Sequence, residues 1–129
     1  MHPHEEAAIL AFIAPSCRAR WLAKLASAKH RRPFLDRLNH CPDIDGRYAT
    51  PLPSSADVVA LLRSRGALAS CHVISDIAAI DGCELPLTEA VDRAELGGFG
   101  TLVSCVPGRL GYYYDESGAR RLLLERPDA

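Results

Sequence analysis

The sequence predicts an α+β domain in which short N-terminal helices pack on a mainly antiparallel sheet that ends in a C-terminal meander. Apolar residues in the first forty positions recur at helical spacing, whereas residues 100–125 divide into strand-length segments separated by turn residues. The chain of 129 residues shows no internal repeat and no interdomain linker. We therefore predict a single α+β domain over residues 1–129.

Three short helices are predicted in the first forty residues. Glu5 and Glu6 suit a helix N-terminus, and the apolar residues that follow them end at Pro15. A second helix is predicted to begin near Pro15, with Trp21 as a buried anchor. Because proline is tolerated in a first turn, Pro33 predicts the start of the third helix.

The middle of the chain is predicted to hold a loop, a helix, a strand and a further helix. Proline, glycine and aspartate are dense in residues 41–55, which indicates irregular structure. Ser54 and Asp57 have the spacing of a capping box for a helix that Gly66 closes. The next predicted elements are a strand at residues 69–75 and a short amphipathic helix at residues 88–96.

Turn chemistry predicts the meander. Pro107 and Gly108 supply the backbone angles of a type II turn between two strands, and residues 115–118 form the next turn. Because strand side chains alternate, each face of the first strand is predicted to carry three residues: Thr101, Val103 and Cys105 on one face, and Leu102, Ser104 and Val106 on the other.

The last two strands raise two further expectations. In the tyrosine run at residues 112–114, Tyr113 should face away from its neighbours, and at least one ring should be exposed or at an interface. Residues 122–124 are three consecutive leucines on the last strand. If that strand is a sheet edge, either a helix covers these leucines or they join a second subunit, which makes a homodimer plausible.

Composition and cysteine usage indicate a soluble protein of the cytoplasm. The formal net charge is -1, with 48% hydrophobic and 24% charged residues, as in ordinary globular proteins. Five cysteines are an odd number, and no Cys-x-x-Cys pair is present, which favours free thiols in a reducing compartment. The apolar run at residues 7–14 is too short to span a bilayer, so no membrane association is predicted.

The strongest candidate binding feature is a basic segment. Seven of the fifteen lysines and arginines fall between positions 18 and 37, and this local positive charge suits an acidic partner. The leading hypothesis is therefore an interaction or regulatory module. Nucleic-acid binding is an alternative, although no recognised binding motif supports it. The candidate binding residues are Arg18, Arg20, Lys24, Lys29, Arg31, Arg32 and Arg37, together with Arg109 after the proline–glycine turn.

A second hypothesis is a small hydrolase or transferase that depends on cysteine or serine and histidine. Cys105 or Ser104 would act as nucleophile and His72 as base, with Asp76 or Asp81 orienting the imidazole. No Gly-x-Ser-x-Gly elbow surrounds Ser104, so whether the protein is an enzyme stays open.

Neither a metal nor a cofactor is predicted. The zinc-ligand types in this chain occur as adjacent pairs, and neighbours in a strand point to opposite faces. These pairs are His40 with Cys41 and Cys71 with His72, and Cys83 lies beyond them.

Four segments resemble a family of small bacterial proteins of about this length that has no assigned activity. The segments are residues 40–47, 71–75, 81–90 and 100–111, and together they extend over most of the chain. The resemblance implies a stand-alone bacterial domain located in the cytoplasm, and it transfers no catalytic residue to this sequence.

Overall fold

The computed structural model describes residues 2–127, which form five α-helices and six β-strands. The helices are α1 (Pro3–Phe12), α2 (Arg18–Ala26), α3 (Ala28–Leu35), α4 (Val58–Ser64) and α5 (Leu87–Gly97). The strands are β1 (Ala49–Pro51), β2 (Ser70–Ser75), β3 (Glu84–Pro86), β4 (Thr101–Val106), β5 (Leu110–Tyr114) and β6 (Arg121–Glu125). The α+β class is confirmed.

One antiparallel sheet lies between two layers of helices. Its strand order is β1-β6-β5-β4-β2-β3, and every neighbouring pair is antiparallel. On one face, the apolar residues of α1, α2 and α3 pack with Ile74, Leu102 and Tyr113. On the other face, α4 and α5 pack with Val73 and Val103. Burial of both faces explains why the strands are apolar along most of their length.

The predicted faces of β4 are confirmed up to a β-bulge. Leu102 packs under the N-terminal helices, and Val103 and Cys105 pack under α4 and α5. The register with β5 shifts between Ser104 and Val106, so an additional residue is inserted there. As a result Val106 packs with Val103 instead of sharing the face of Leu102, and its predicted side was wrong.

The three tyrosines of β5 are all buried, contrary to the expectation that one ring is exposed. Tyr113 faces the N-terminal helices and its two neighbours face α4 and α5, as alternation predicts. Because helices cover both faces, each ring lies in a core. Two hydroxyls are satisfied there: Tyr113 donates to the Leu38 carbonyl at 2.5 Å and Tyr112 donates to Glu95 at 2.8 Å.

Two predicted helix starts were wrong because another residue caps the helix. Ser27 accepts a hydrogen bond from the His30 amide at 3.3 Å, so α3 begins at Ala28 and contains Pro33 within it. Asp57 accepts from the Ala60 amide at 3.1 Å and caps α4, in place of the predicted Ser54. In the described part of the chain, no helix is long and apolar enough to cross a membrane.

The leucine-rich strand β6 is not a sheet edge. It pairs with β5 on one side and with β1 on the other, and residues 122–124 are buried. The edges are β1 and β3, which have three residues each and contain Pro51 and Pro86. Short, proline-containing edges resist pairing with another chain. Because both sides of β6 are already paired, β6 cannot join a second subunit by strand pairing in this fold.

Candidate functional site

The structure brings together two of the three predicted catalytic residues and separates the third. His72 on β2 and Ser104 on β4 are direct cross-strand partners, so their side chains share the sheet face covered by α1. Cys105 lies on the opposite face and is fully buried among the residues under α4 and α5. Ser104 is thus the nucleophile candidate that lies beside His72.

The carboxylate that orients His72 comes from α1, not from the predicted Asp76 or Asp81. His72 Nε2 lies 2.7 Å from Glu5 Oε2, and both side chains are about 3% exposed. Glu5 reaches the sheet because α1 crosses β2 and β4. In the sequence, Glu5 is separated from His72 by 67 positions and is typical of a helix N-terminus, so no local signal indicated this contact.

Arg31 of α3 holds Glu5 in place. Its Nη1 and Nη2 atoms each donate to Glu5 at 2.8 Å, while Nε and Nη2 donate to Asp81 at 2.8 and 3.0 Å. One guanidinium therefore binds two carboxylates through four hydrogen bonds, a strong charge-assisted arrangement. Asp76 contacts Arg32 and Asn39 instead of His72. We call Glu5, Arg31, His72 and Asp81 the buried ionic cluster.

The cluster favours the ionised form of its carboxylate. Burial opposes ionisation of Glu5, but hydrogen bonds from His72 and Arg31 outweigh it and lower the pKa of this carboxyl to about 2. Hydrogen bonds to Asp81 and Glu5 raise the pKa of Arg31 above its ordinary value. Glu5 is therefore a fixed negative charge against the His72 ring across the physiological pH range.

This geometry predicts a pH dependence of stability that depends on Glu5. Its pKa is lower in the folded state than the ordinary 4.5, so ionisation contributes to stability above pH 4.5, and this contribution, about 3 kcal/mol, is lost as the pH falls towards 2. Urea unfolding at a series of pH values measures it. Glu5→Gln should make the profile less steep between pH 5 and 2, with the remaining slope due to other carboxyls of lowered pKa, such as Asp43, Asp45 and Asp115. Glu6→Gln, at an exposed position, should leave the profile unchanged. Equal profiles for the two variants would contradict the assignment.

Ser104 and the histidines around it are enclosed. The Ser104 side-chain oxygen is buried and has no hydrogen-bond partner among the described residues, and the same holds for Nε2 of His4. The imidazole ring of His72 stacks on that of His2, with 4.3 Å between the ring centroids. The centroid of the His4 ring lies 5.6 Å from that of His72. Serine, imidazole and carboxylate are the components of acyl-transfer catalysis, but a substrate reaches Ser104 only if the start of α1 moves.

The predicted cysteine nucleophile lies in an environment that suppresses reactivity. Cys71 donates a hydrogen bond to Cys105 with 3.7 Å between the sulfur atoms, and both are buried. This hydrogen bond and burial raise the pKa of Cys105. Because the thiolate is the reactive form, Cys105 serves to fill the core.

We expect iodoacetamide to modify Cys17 and Cys83 before the other three cysteines of the folded protein. These two are partly exposed, whereas Cys41, Cys71 and Cys105 are buried, and burial raises the pKa of Cys41 to about 11. Mass mapping of alkylated peptides against time measures the order, and labelling in urea is the control that equalises access. Rapid modification of Cys105 in the native protein would contradict this assignment.

The candidate metal ligands do not converge. Over residues 2–127, no group of three or more His, Cys, Asp or Glu side chains could hold a metal ion. Cys71 and His72 point to opposite faces of β2, as alternation predicts. Cys41 is buried in the N-terminal core, and the side chain of His40 contacts Glu116 at 3.1 Å.

Five of the predicted binding arginines form hydrogen bonds or ion pairs within the protein. Arg31 belongs to the buried ionic cluster, Arg32 pairs with Asp76 at 3.3 Å, and Arg37 forms a short ion pair with Asp43. Arg18 donates to the Ile13 carbonyl at 2.9 Å. The turn residue Arg109 is exposed, and its Nη2 donates to the Pro127 carbonyl at 3.0 Å.

The remaining three cations lie on the outside of the helical layer. Arg20 lies over the ring of Phe34 at 5.7 Å, and Lys24 follows one turn later on the same side of α2. Lys29 is exposed at the start of α3. Among the described residues, none of the three has a carboxylate within ion-pair distance. We call Arg20, Lys24 and Lys29 the outer basic row.

Comparison with protein-family models, curated proteins and solved structures finds no match for this chain.

Proposed function

We propose that this protein is a small interaction module that binds an acidic partner protein through the outer basic row. The observation that carries the proposal is the division of the basic segment. Several of its arginines are used in contacts within the fold. Arg20 and Lys29 are exposed and Lys24 is half-buried, and none of these three has a carboxylate partner in the described part of the chain. Unpaired cations on one surface favour association with an acidic surface.

A shallow groove beside the outer basic row supports the same function. It has a volume of about 320 Å³ and begins at Arg20. The ring of Phe34 and two prolines provide apolar surface, and Arg37, which is paired with Asp43, completes the wall. The lining residues are Arg20, Pro33, Phe34, Asp36, Arg37, Asn39 and Pro42. Such a groove suits an acidic peptide segment, because arginine combines charge with planar packing.

A protein partner is favoured over nucleic acid by the amount of unpaired charge. Strong binding to a nucleic-acid backbone uses many phosphate contacts, and the outer basic row provides three cations in a chain of formal net charge -1. The five free thiols favour a reducing compartment, so we place the module in the cytoplasm.

Retention on immobilised polyglutamate tests the proposal. The wild-type protein should bind at low salt, and Arg20→Glu/Lys24→Glu/Lys29→Glu should weaken binding at least tenfold. The matched control is Arg63→Glu/Arg65→Glu/Arg93→Glu, which changes the net charge equally at exposed positions elsewhere and should retain binding. Equal loss in both variants, or no wild-type binding, overturns the proposal. Tighter binding to DNA than to polyglutamate, with steep salt dependence, would favour the nucleic-acid alternative.

A second candidate function, acyl transfer or hydrolysis at Ser104, is supported by one observation. The oxygen of Ser104, which has no hydrogen-bond partner within residues 2–127, lies on the strand next to His72, which Glu5 orients. In such a reaction the Ser104 oxygen bonds to the acyl carbon while its proton passes to His72. His72 then protonates the leaving group, and water releases the acyl group.

An alkyl fluorophosphonate, which modifies activated serines, tests this second function. The wild-type protein should gain one adduct at Ser104, and neither Ser104→Ala nor His72→Gln should gain any. Ser54→Ala, at an exposed position, is the control and should react like wild type. Absence of an adduct on the wild-type protein would overturn the catalytic assignment.

A further inference from the structure

A groove lies between α1 and the turn that joins β4 to β5, away from the outer basic row. Its volume is about 400 Å³, within the range of small-molecule sites. Small and apolar residues form most of its surface, and the guanidinium groups of Arg18 and Arg126 also line it. The lining residues are Ala7, Leu10, Ala11, Arg18, Pro107, Gly108 and Arg126.

The first guanidinium, that of Arg18, is incompletely satisfied. Its Nε donates to the Ile13 carbonyl, but its Nη2 is buried and has no hydrogen-bond acceptor among the described residues. Asp45 lies 4.0 Å from that nitrogen. The same carboxylate accepts two hydrogen bonds from the Arg47 side chain at 3.1 and 2.8 Å, so it is shared between two cations. A buried donor without an acceptor is an uncommon feature.

The second guanidinium, that of Arg126, has no carboxylate within ion-pair distance among residues 2–127. Its Nη1 is 3.5 and 3.4 Å from the carbonyls of Leu10 and Ala11, at the long limit of hydrogen bonding. The group lies 4.7 Å over the ring of Tyr48, and Arg47 lies over the same ring at 5.2 Å. Among residues 2–127, Arg18 and Arg47 therefore share the Asp45 carboxylate, and Arg47 and Arg126 share the Tyr48 ring, beside an apolar groove.

We propose that this groove binds a small amphipathic organic anion, with its apolar chain against Leu10 and Ala7 and its carboxylate between Arg18 and Arg126. Leu10 supports the apolar half, because its side chain is 43% exposed at the groove although it lies on a helix that is otherwise largely buried. Among the described residues, Nη2 of Arg18 has no hydrogen-bond acceptor and Arg126 has no carboxylate partner, and a carboxylate in the groove would provide both. The site uses none of the outer basic row, so it goes beyond the proposed function.

Calorimetric titration with octanoate tests the site. In parallel titrations, 1-octanol probes the apolar half alone and acetate probes the arginines alone. Octanoate should bind more tightly than either, because only octanoate engages both the apolar surface and the arginines. Arg126→Gln should weaken octanoate binding about tenfold, the effect of one charge-assisted hydrogen bond. Ala7→Phe should abolish binding by filling the groove, whereas Arg63→Gln, on α4, should change nothing.

Circular dichroism of each variant checks that the fold is retained. In a folded variant, loss of binding reports on the groove. Equal affinity for octanoate and octanol, or octanoate binding that Arg126→Gln does not change, would overturn the assignment of the arginines. No octanoate binding at millimolar concentration would overturn the site itself. Because the polyglutamate experiment uses different residues, either result leaves the acidic-partner proposal to be judged on its own measurement.

Discussion

Arg31→Met is expected to lower the free energy of unfolding by about 3 kcal/mol, because it removes the cation that donates hydrogen bonds to two buried carboxylates. Glu5 and Asp81 are 3% and 8% exposed, and Arg31 provides four hydrogen bonds to them. Methionine replaces the apolar stem of the side chain and removes its charge, so the loss reports mainly on the carboxylates that Arg31 contacts. Urea unfolding followed by the fluorescence of the single, buried tryptophan, Trp21, measures it.

Arg32→Met is the matched control for this prediction. Arg32 neighbours Arg31 in α3, but its side chain is 44% exposed. It pairs with Asp76 at 3.3 Å and more distantly with Asp81 at 3.6 Å, so its removal should cost less than about 1 kcal/mol. Coupling is the sharper test: Glu5→Gln should be less destabilising in the Arg31→Met background than in wild type, because the charge it removes has already lost its arginine partner. Additive effects would contradict a shared cluster.

The meander is the part of the fold that the sequence predicted best. Its turns are encoded locally: Pro107 and Gly108 set the first, and Gly108 has the positive φ of 71° that a type II turn requires. Strand alternation then assigned Leu102 and Val103 to opposite cores, as observed. The bulge after Ser104 was not predictable, because it depends on how β4 pairs with β5 and not on any residue type in β4.

The burial of the tyrosine rings and the position of β6 within the sheet could not be predicted from the local sequence, because both depend on contacts between distant segments. Alternation in 112–114 tells which ring faces which side, but only the packing of helices on both faces decides that all three are buried. The edge strand β1 has three residues in a segment rich in breakers, and it forms by pairing with β6 across more than seventy positions. Its presence places β6 inside the sheet, so the premise that residues 122–124 lie at a sheet edge was wrong.

The candidate site was predictable by residue type but not by arrangement. His72 and Ser104 follow from their chemistry and from two correctly placed strands. The partner Glu5 does not, since a glutamate in a first helical turn is explained by the helix dipole alone. The ion pairs of Arg31, Arg32 and Arg37 likewise join distant segments, and the charge count in the sequence could not separate them from the outer basic row.

Gly100→Ala is expected to lower the free energy of unfolding by about 4 kcal/mol or to prevent folding. A Cβ atom there would lie 2.2 Å from the Leu38 carbonyl oxygen and 2.8 Å from the Asn39 nitrogen, and backbone atoms cannot move aside as a flexible side chain can. The same loop receives the Tyr113 hydroxyl at Leu38, and Asn39 accepts from the Gly100 amide at 2.6 Å. Displacing this loop would therefore break these hydrogen bonds and disrupt the close packing around them.

The effect of the close backbone contact at Gly100 can be separated from the general effect of replacing a glycine with alanine. Gly46→Ala is the matched control, because a Cβ at Gly46 meets nothing within 4 Å, and its stability should change by less than about 1 kcal/mol. Thermal and urea unfolding of the two variants measure the difference. A tolerated alanine at Gly100 would mean that the loop of Leu38 and Asn39 stands further from the start of β4, and the hydrogen bond from the Gly100 amide to Asn39 would then be absent in solution.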